Sequence, residues 1–369
     1  MAIGNQRCYA CLEFESRGGE EPMPGLPQPG KSDTPTVNDL GMNVNGPLRD
    51  RFGRSLHYLR LSVTGRCNFR CVYCLPNGCP KEDARPLSLL EIERLVRGFA
   101  ALGFWKVRVT GGEPTTRSDV CEIIRAIART PGIRSVGLTT NGYRLAALAP
   151  ALREAGLTTL NVSLDSLRAE RFDRLTGRNC LPAVLEGIEA ALAAGIPSVQ
   201  VNTVLLRGLE DDELDQLLAW TKNLPLTVRF IELMQTSDNE TFFRANHLPA
   251  RDVRDKLQGR GWLPLLTRPG SGPAALYRHP DHLGRAGLIA PYSEGFCKSC
   301  NRLRVSSTGD LRLCLFGEQQ LALRPYLRRD DQMPELERLV ALAVQSKPAA
   351  HSLGEGRCGP SPNLAAIGG

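Results

Sequence analysis

No stretch of this 369-residue chain approaches the ~18 consecutive apolar residues of a membrane helix, which argues against a helical membrane protein. Met1 to Cys11 carries polar and charged positions in place of an apolar signal core, so a cytoplasmic chain is expected. Nor is there a large excess of charge of one sign. Lys and Arg number 46 against 39 Asp and Glu, a net +7. That balance suits a polyanionic small molecule as well as nucleic acid, or simply a solvated surface. Residues 1–50 sustain no apolar period and are rich in Gly, Pro and Ser, which reads as a flexible leader. Cys8 and Cys11 lie in it without a second pair, and read as a redox-sensitive couple. Twelve cysteines without a secretion signal are better explained as metal ligands and buried thiols than as disulfides. Cys121 and Cys180 are expected to be such buried thiols.

Three of those cysteines are packed into the run Cys67-Asn68-Phe69-Arg70-Cys71-Val72-Tyr73-Cys74, directly after the apolar run Tyr58 to Val63. Three thiolates on one short loop can hold three irons of a four-iron cluster and leave the fourth iron open to substrate or cofactor. A zinc site is the competing reading, with Cys79 as its fourth ligand. The Cys-x3-Cys-x2-Cys spacing with Tyr73 before the third cysteine resembles the signature of radical S-adenosylmethionine enzymes.

Strand-like and helix-like segments alternate from residue 57 to about 232. The strand candidates are His57–Val63, Trp105–Thr110, Arg134–Thr139, Thr158–Ser163, Val199–Val204 and Leu226–Ile231. Leu89–Leu102 is amphipathic, with Leu90, Ile92, Leu95, Val96 and Phe99 at helical spacing. Gly103, Gly156 and Gly195 are placed to close helices. Such alternation predicts an α/β fold with a parallel sheet, and a partial barrel over an open doubly wound sheet. The length suggests about two domains. We divide the chain into the leader 1–50, a barrel at 51–235, a second region at 236–330 and a tail at 331–369 with one helix, Pro334–Gln345.

In such folds function gathers at the C-terminal ends of the strands. There the chain has the first cysteine loop, Thr110-Gly111-Gly112-Glu113-Pro114, Thr139-Thr140-Asn141-Gly142, Ser163-Leu164-Asp165 and Glu232-Leu233-Met234. Gly111-Gly112 is either a tight turn or bare backbone for a ligand. Further on, Cys297 and Cys300 are joined by Cys314. A zinc closed by His279 or His282 is one reading. Arg302 and Arg304, on alternate residues, project from one face of an extended segment and suit phosphate oxygens.

The chain resembles the GTP 3′,8-cyclases of molybdenum cofactor biosynthesis from about Phe52 to Gly369. The matching stretches include Tyr58–Ser62, Cys67–Pro76, Val107–Pro114, Thr139–Tyr143, Asn161–Leu167, Arg229–Met234, Cys297–Ser307, Cys314–Gly317 and the terminal Gly368-Gly369. The resemblance implies a partial (β/α)6 barrel of the radical S-adenosylmethionine type with a C-terminal cluster-binding extension. It implies two [4Fe-4S] clusters, on Cys67, Cys71 and Cys74 and on Cys297, Cys300 and Cys314. Tyr73, Gly112, Ser163 and Met234 would contact S-adenosylmethionine. Arg60, Arg108, Thr139, Gln200 and Arg302 would contact GTP, and Gly368 and Gly369 would enter the active site from the tail. The implied reaction is hydrogen abstraction from the GTP ribose by a 5′-deoxyadenosyl radical, then attack of the sugar radical on guanine. An unidentified electron donor, a homodimeric state and delivery of the product to cyclic pyranopterin monophosphate synthase belong to the same expectation, without nucleic acid or membrane partners.

The chain departs from the family pattern at Gln200, where lysine is general, at Gly65 in place of aspartate, and at Ser118 in place of a second arginine. Two other classes compete: a peptide-modifying radical enzyme, which usually has more C-terminal cysteines, and a zinc-bearing nucleic-acid-binding protein. The second leaves Gly111-Gly112-Glu113-Pro114 unexplained.

Overall fold

The structure is a computed structural model and describes residues 47–79, 85–209, 211–266, 272–359 and 363–365. Six β/α repeats come first. They are β1 Tyr58–Ser62, α1 Leu89–Ala101, β2 Lys106–Thr110, α2 Val120–Arg129, β3 Ser135–Thr140, α3 Leu145–Glu154, β4 Thr159–Ser163, α4 Ala169–Thr176, α5 Leu181–Ala193, β5 Ser198–Leu205, α6 Asp211–Asn223 and β6 Thr227–Glu232. Each expected strand is present within one or two residues, because each is a short β-branched run closed by a turn.

The next region supplies α7 Glu240–Asn246, α8 Ala250–Gly259, β7 Leu263–Leu265, β8 Ala275–Arg278, β9 Arg285–Ile289, β10 Arg302–Val305, β11 Asp310–Arg312 and β12 Gln320–Ala322, followed by α9 Met333–Gln345. All twelve strands form one sheet in the order β12-β11-β10-β1-β2-β3-β4-β5-β6-β9-β8-β7. β1 to β6 are consecutive and parallel, and β10 and β9 extend the parallel array past β1 and β6. Strands in sequential order with right-handed crossovers put their helices on one side, as in a barrel. β12 and β7 do not pair among the described residues, so the barrel is partial.

α1 illustrates the local logic. Ser88 and Glu91 form a capping box, with the Glu91 N–H on Ser88 Oγ at 3.3 Å and the Ser88 N–H on Glu91 Oε2 at 2.8 Å. Ile92, Leu95, Val96 and Phe99 are buried, as their spacing requires. Leu90 is 51% exposed; two residues from Ile92, it falls on the opposite side of the helix. Gly103, Gly156 and Gly195 all adopt positive φ just after a helix. Cys180 is buried, but Cys121 is only half-buried on α2, so that expectation holds for one of the two. No helix among the described residues is long and apolar enough to cross a membrane.

Candidate active site

Side chains alternate across a strand, so the residues that face inward can be read from the register. Tyr58 pairs with Lys106 and with Arg302, and Arg60 pairs with Arg108 and with Arg304. These positions share one face of the sheet. They line a cavity of about 1250 Å³, open solvent at its mouth included, together with Thr139, Asn161, Gln200, Asn202, Arg229 and Met234. Cys297, Cys300 and Cys314 open onto the same space. Of the residues expected to contact GTP, Arg60, Arg108, Thr139, Gln200 and Arg302 all line it.

The cavity is strongly electropositive. Burial pulls the Arg60 guanidinium down to about 10 and Arg229 to about 9, with the neighbouring arginines adding to both. Arg304 and Lys106 are lowered for the same two reasons. Burial alone would raise the Tyr58 hydroxyl, yet Arg108, Arg60 and Lys106 together pull it down to about 7. Buried cations that repel one another are costly, and a polyanion is the partner that relieves them. Arg108 is held in place by Tyr58 Oη at 2.9 Å, Leu138 O at 2.9 Å and Thr159 Oγ1 at 2.8 Å. Arg229 is held by Asn202 Oδ1 at 2.6 and 2.9 Å. Thr139 Oγ1, Asn161 Oδ1 and Gln200 Oε1 are buried without a hydrogen-bond partner. The three residues stand side by side in register on β3, β4 and β5. A row of unsatisfied polar atoms inside a cavity signals a place for ligand groups.

The first cysteine loop lies at the C-terminal end of β1. Gly111 and Gly112 are required there by close backbone packing. A Cβ on Gly112 would sit 2.2 Å from Arg66 O, and one on Gly111 2.4 Å from Thr64 O, with Gly111 at φ +149. The Gly112 N–H donates to Thr64 O at 2.9 Å and the Glu113 N–H to Arg66 O at 2.7 Å. The glycine pair thus braces the cysteine loop. Glu113 is buried and accepts hydrogen bonds from Thr115 and from Thr140 and Asn141 at the end of β3. Ser163 ends β4, half-buried and outside the cavity lining. The Tyr73 hydroxyl donates to Asp165 Oδ2 at 2.6 Å, so its side chain is used in packing.

Burial pushes the thiols of Cys67 and Cys74 up to about 11 and about 12, and Cys71 also upward, with the neighbouring sulfurs adding to each. An all-sulfur donor set of this kind on one loop fits an iron–sulfur cluster whose binding displaces the thiol protons. Cys79 lies beside it, accepting the Cys67 N–H at 3.1 Å. Among the described residues no three His, Cys, Asp or Glu side chains converge tightly enough for a single metal ion. His279 and His282, the candidate zinc closers, pack on Trp262 with ring separations of 5.5 and 4.8 Å, away from the cavity lining. The second trio differs from the first. Burial raises Cys300, but Lys347 and Arg302 outweigh it and bring the thiol down to about 7. Burial raises Cys297.

Gly368 and Gly369 lie outside the described residues, as do Cys8 and Cys11. The tail is visible closer in: Ala365 is buried and its N–H reaches the Cys74 sulfur. Sequence reading missed Lys106, Arg229 and Asn202, which the alternation on β2, β5 and β6 could have supplied. It also missed Lys347 and His351, which follow α9 in irregular chain and carry no local signal.

A curated GTP 3′,8-cyclase of Aeromonas hydrophila is 51% identical over 89% of this chain and 98% of its own length. Another, from Stenotrophomonas maltophilia, is 52% identical over 87% of this chain and 99% of its own. The chain belongs to the GTP 3′,8-cyclase family. Two family models agree with this: the Radical SAM superfamily matches residues 61–221, and Molybdenum Cofactor Synthesis C matches 226–353. Like its family, the protein is a radical S-adenosylmethionine enzyme, a class that works with an iron–sulfur cluster. Streptococcus suis SuiB bound to S-adenosylmethionine matches at a TM-score of 0.57 and 14% identity, covering 79% of this chain and 68% of that one. That likeness shows the fold of a GTP 3′,8-cyclase chain to be the radical S-adenosylmethionine partial barrel.

Proposed function

We propose that this protein cyclises GTP to 3′,8-cyclo-7,8-dihydroguanosine triphosphate, the first step of molybdenum cofactor biosynthesis, using two [4Fe-4S] clusters. Cys67, Cys71 and Cys74 would hold the first and Cys297, Cys300 and Cys314 the second. When bound, the first cluster supplies the electron that cleaves S-adenosylmethionine to the radical that starts ring closure. The observation that carries the substrate is the cationic inner face of β10, β1 and β2 beside the second cysteine trio.

Within that reading Arg60, Arg108, Arg302 and Arg304 receive the triphosphate as charge-assisted, fork-shaped donors. Thr139 and Gln200 add neutral hydrogen bonds from β3 and β5. Prior fixing of Arg108 and Arg229 by protein partners means little side-chain order is lost when GTP arrives. Met234 and the backbone around Gly112 flank S-adenosylmethionine, and the terminal Gly368 and Gly369 complete the site. The barrel then corresponds to residues 51–235, the second-cluster region to 236–330 and the tail to 331–369. An electron donor and a cyclic pyranopterin monophosphate synthase downstream, in the cytoplasm, complete the scheme.

The test is anaerobic. The reconstituted protein is given S-adenosylmethionine and a strong reductant, and 5′-deoxyadenosine is quantified with and without GTP. GTP-dependent 5′-deoxyadenosine with a cyclised nucleotide of GTP mass is the expected result. Cleavage indifferent to GTP would remove GTP as the substrate, and zinc in place of iron would remove the enzyme reading.

A further inference from the structure

After α9 the chain turns inward as Lys347-Pro348-Ala349-Ala350-His351, and this strap touches the second cysteine trio from several sides. Lys347 is 2% exposed. Its ammonium donates to Arg302 O at 3.2 Å and to Leu313 O, the carbonyls that flank Cys300 and Cys314 in the fold. Its charge acts on the sulfurs of both cysteines. The His351 N–H reaches the Cys297 sulfur. From the outer side Arg54, itself anchored on Asp50 at 2.6 Å, binds Cys297 O at 3.1 Å, Ala349 O at 2.7 Å and Pro348 O at 2.6 Å.

A buried ammonium is costly unless an anion accompanies it, and here its hydrogen bonds go to two neutral carbonyls. Among the described residues no carboxylate pairs with it; the carbonyls it holds lie one residue from Cys314 and two from Cys300. We infer that Lys347 is a charge-compensating and positioning residue for the group bound at Cys297, Cys300 and Cys314, and that it sets that group's reduction potential. This rests on the second-cluster reading proposed above. A fixed positive charge beside sulfur ligands favours the more negative, reduced form of a cluster.

The experiment is a redox titration of the full-length, doubly reconstituted protein, followed by electron paramagnetic resonance. S-adenosylmethionine is added to mark the first cluster. Wild type is compared with Lys347→Gln and Lys347→Arg, with iron counted in each. The expected result is a lower midpoint for the second cluster in Lys347→Gln, recovery toward wild type in Lys347→Arg, and an unmoved first cluster. Loss of the second cluster in Lys347→Gln with retention in Lys347→Arg also supports the role of charge. Two clusters with an unchanged second midpoint in Lys347→Gln, or equal effects of both substitutions, overturn the assignment while leaving the two-cluster reading intact. Wild-type iron sufficient for one cluster only would remove the underlying reading and the assignment with it.

Discussion

Arg60 and Arg108 are register partners on neighbouring parallel strands, two guanidinium groups side by side on the inner face of one sheet. Arg304 adds a third on the other side of Arg60. Such crowding is costly in a ligand-free chain, since like charges in a cavity repel and each has lost water. The arrangement favours a polyanion.

Replacing Arg108 by Met tests the triphosphate contact. Losing a charged donor to phosphate costs about 1.5–3 kcal/mol, or roughly 10- to 150-fold in affinity. Anaerobic calorimetry with GTP should show that loss. Wild-type affinity should also fall as salt is raised. Equal affinity in the two proteins would separate Arg108 from the triphosphate.

Gln200 presents a neutral carboxamide to the cavity, its Nε2 donating to Ser198 Oγ at 3.2 Å and its Oε1 unpartnered. Gln200→Lys should bind GTP several-fold more tightly, since an ammonium adds a charge-assisted bond that glutamine lacks. S-adenosylmethionine cleavage chemistry should not change. Calorimetric titrations of both proteins decide it, and matching dissociation constants end the idea.

Gly112→Ala places a methyl group 2.2 Å from Arg66 O. Backbone cannot step aside as a side chain can, so the cysteine loop must move, at about 1–3 kcal/mol or more. Iron bound after reconstitution should fall by about one cluster's worth, while the second site keeps its own. Full iron content would show that the loop tolerates the shift.

Arg117 grips Asp119 through two bonds of 2.8 and 2.6 Å and also holds Val63 O and Leu87 O, both at 2.9 Å. The Arg117 hydrogen bonds hold the Asp119 carboxylate below its ordinary value. A depressed carboxylate stabilises the fold above its unfolded value, near 4, and loses that contribution as pH falls through the lower folded one. Asp119→Asn should therefore be less stable than wild type at pH 7, with the gap closing below about pH 4. Urea denaturation at both pH values measures it; a gap that persists in acid would place the effect elsewhere.

Much of the architecture was legible because its signals are local. β1 to β6 are short β-branched runs, and the alternation that puts Arg60 and Arg108 on one face needs only the period of a strand. The spacing of Cys67, Cys71 and Cys74 likewise lies within one loop. Even so, the sequence could not separate a ligand shelf from a backbone contact at Gly112. Tertiary structure adds that a Cβ at this position would meet Arg66 O, a contact that no local stretch of sequence reveals.

The chain's order of residues by itself determined the repeat of strand and helix, the inward parity of the arginines and the two sulfur trios. Tertiary structure alone decided that β10 and β9 extend the barrel at both ends, bringing Arg302, Arg304 and the second trio against β1. It also decided that Lys347 and Arg54, far apart in the chain, both brace the surroundings of the second trio, Arg54 on Cys297 O and Lys347 on Arg302 O and Leu313 O. Periodicity reports which way a side chain faces within its own element. Which distant element it meets depends on how the sheet curves and where the chain returns, and no short window of sequence carries that information.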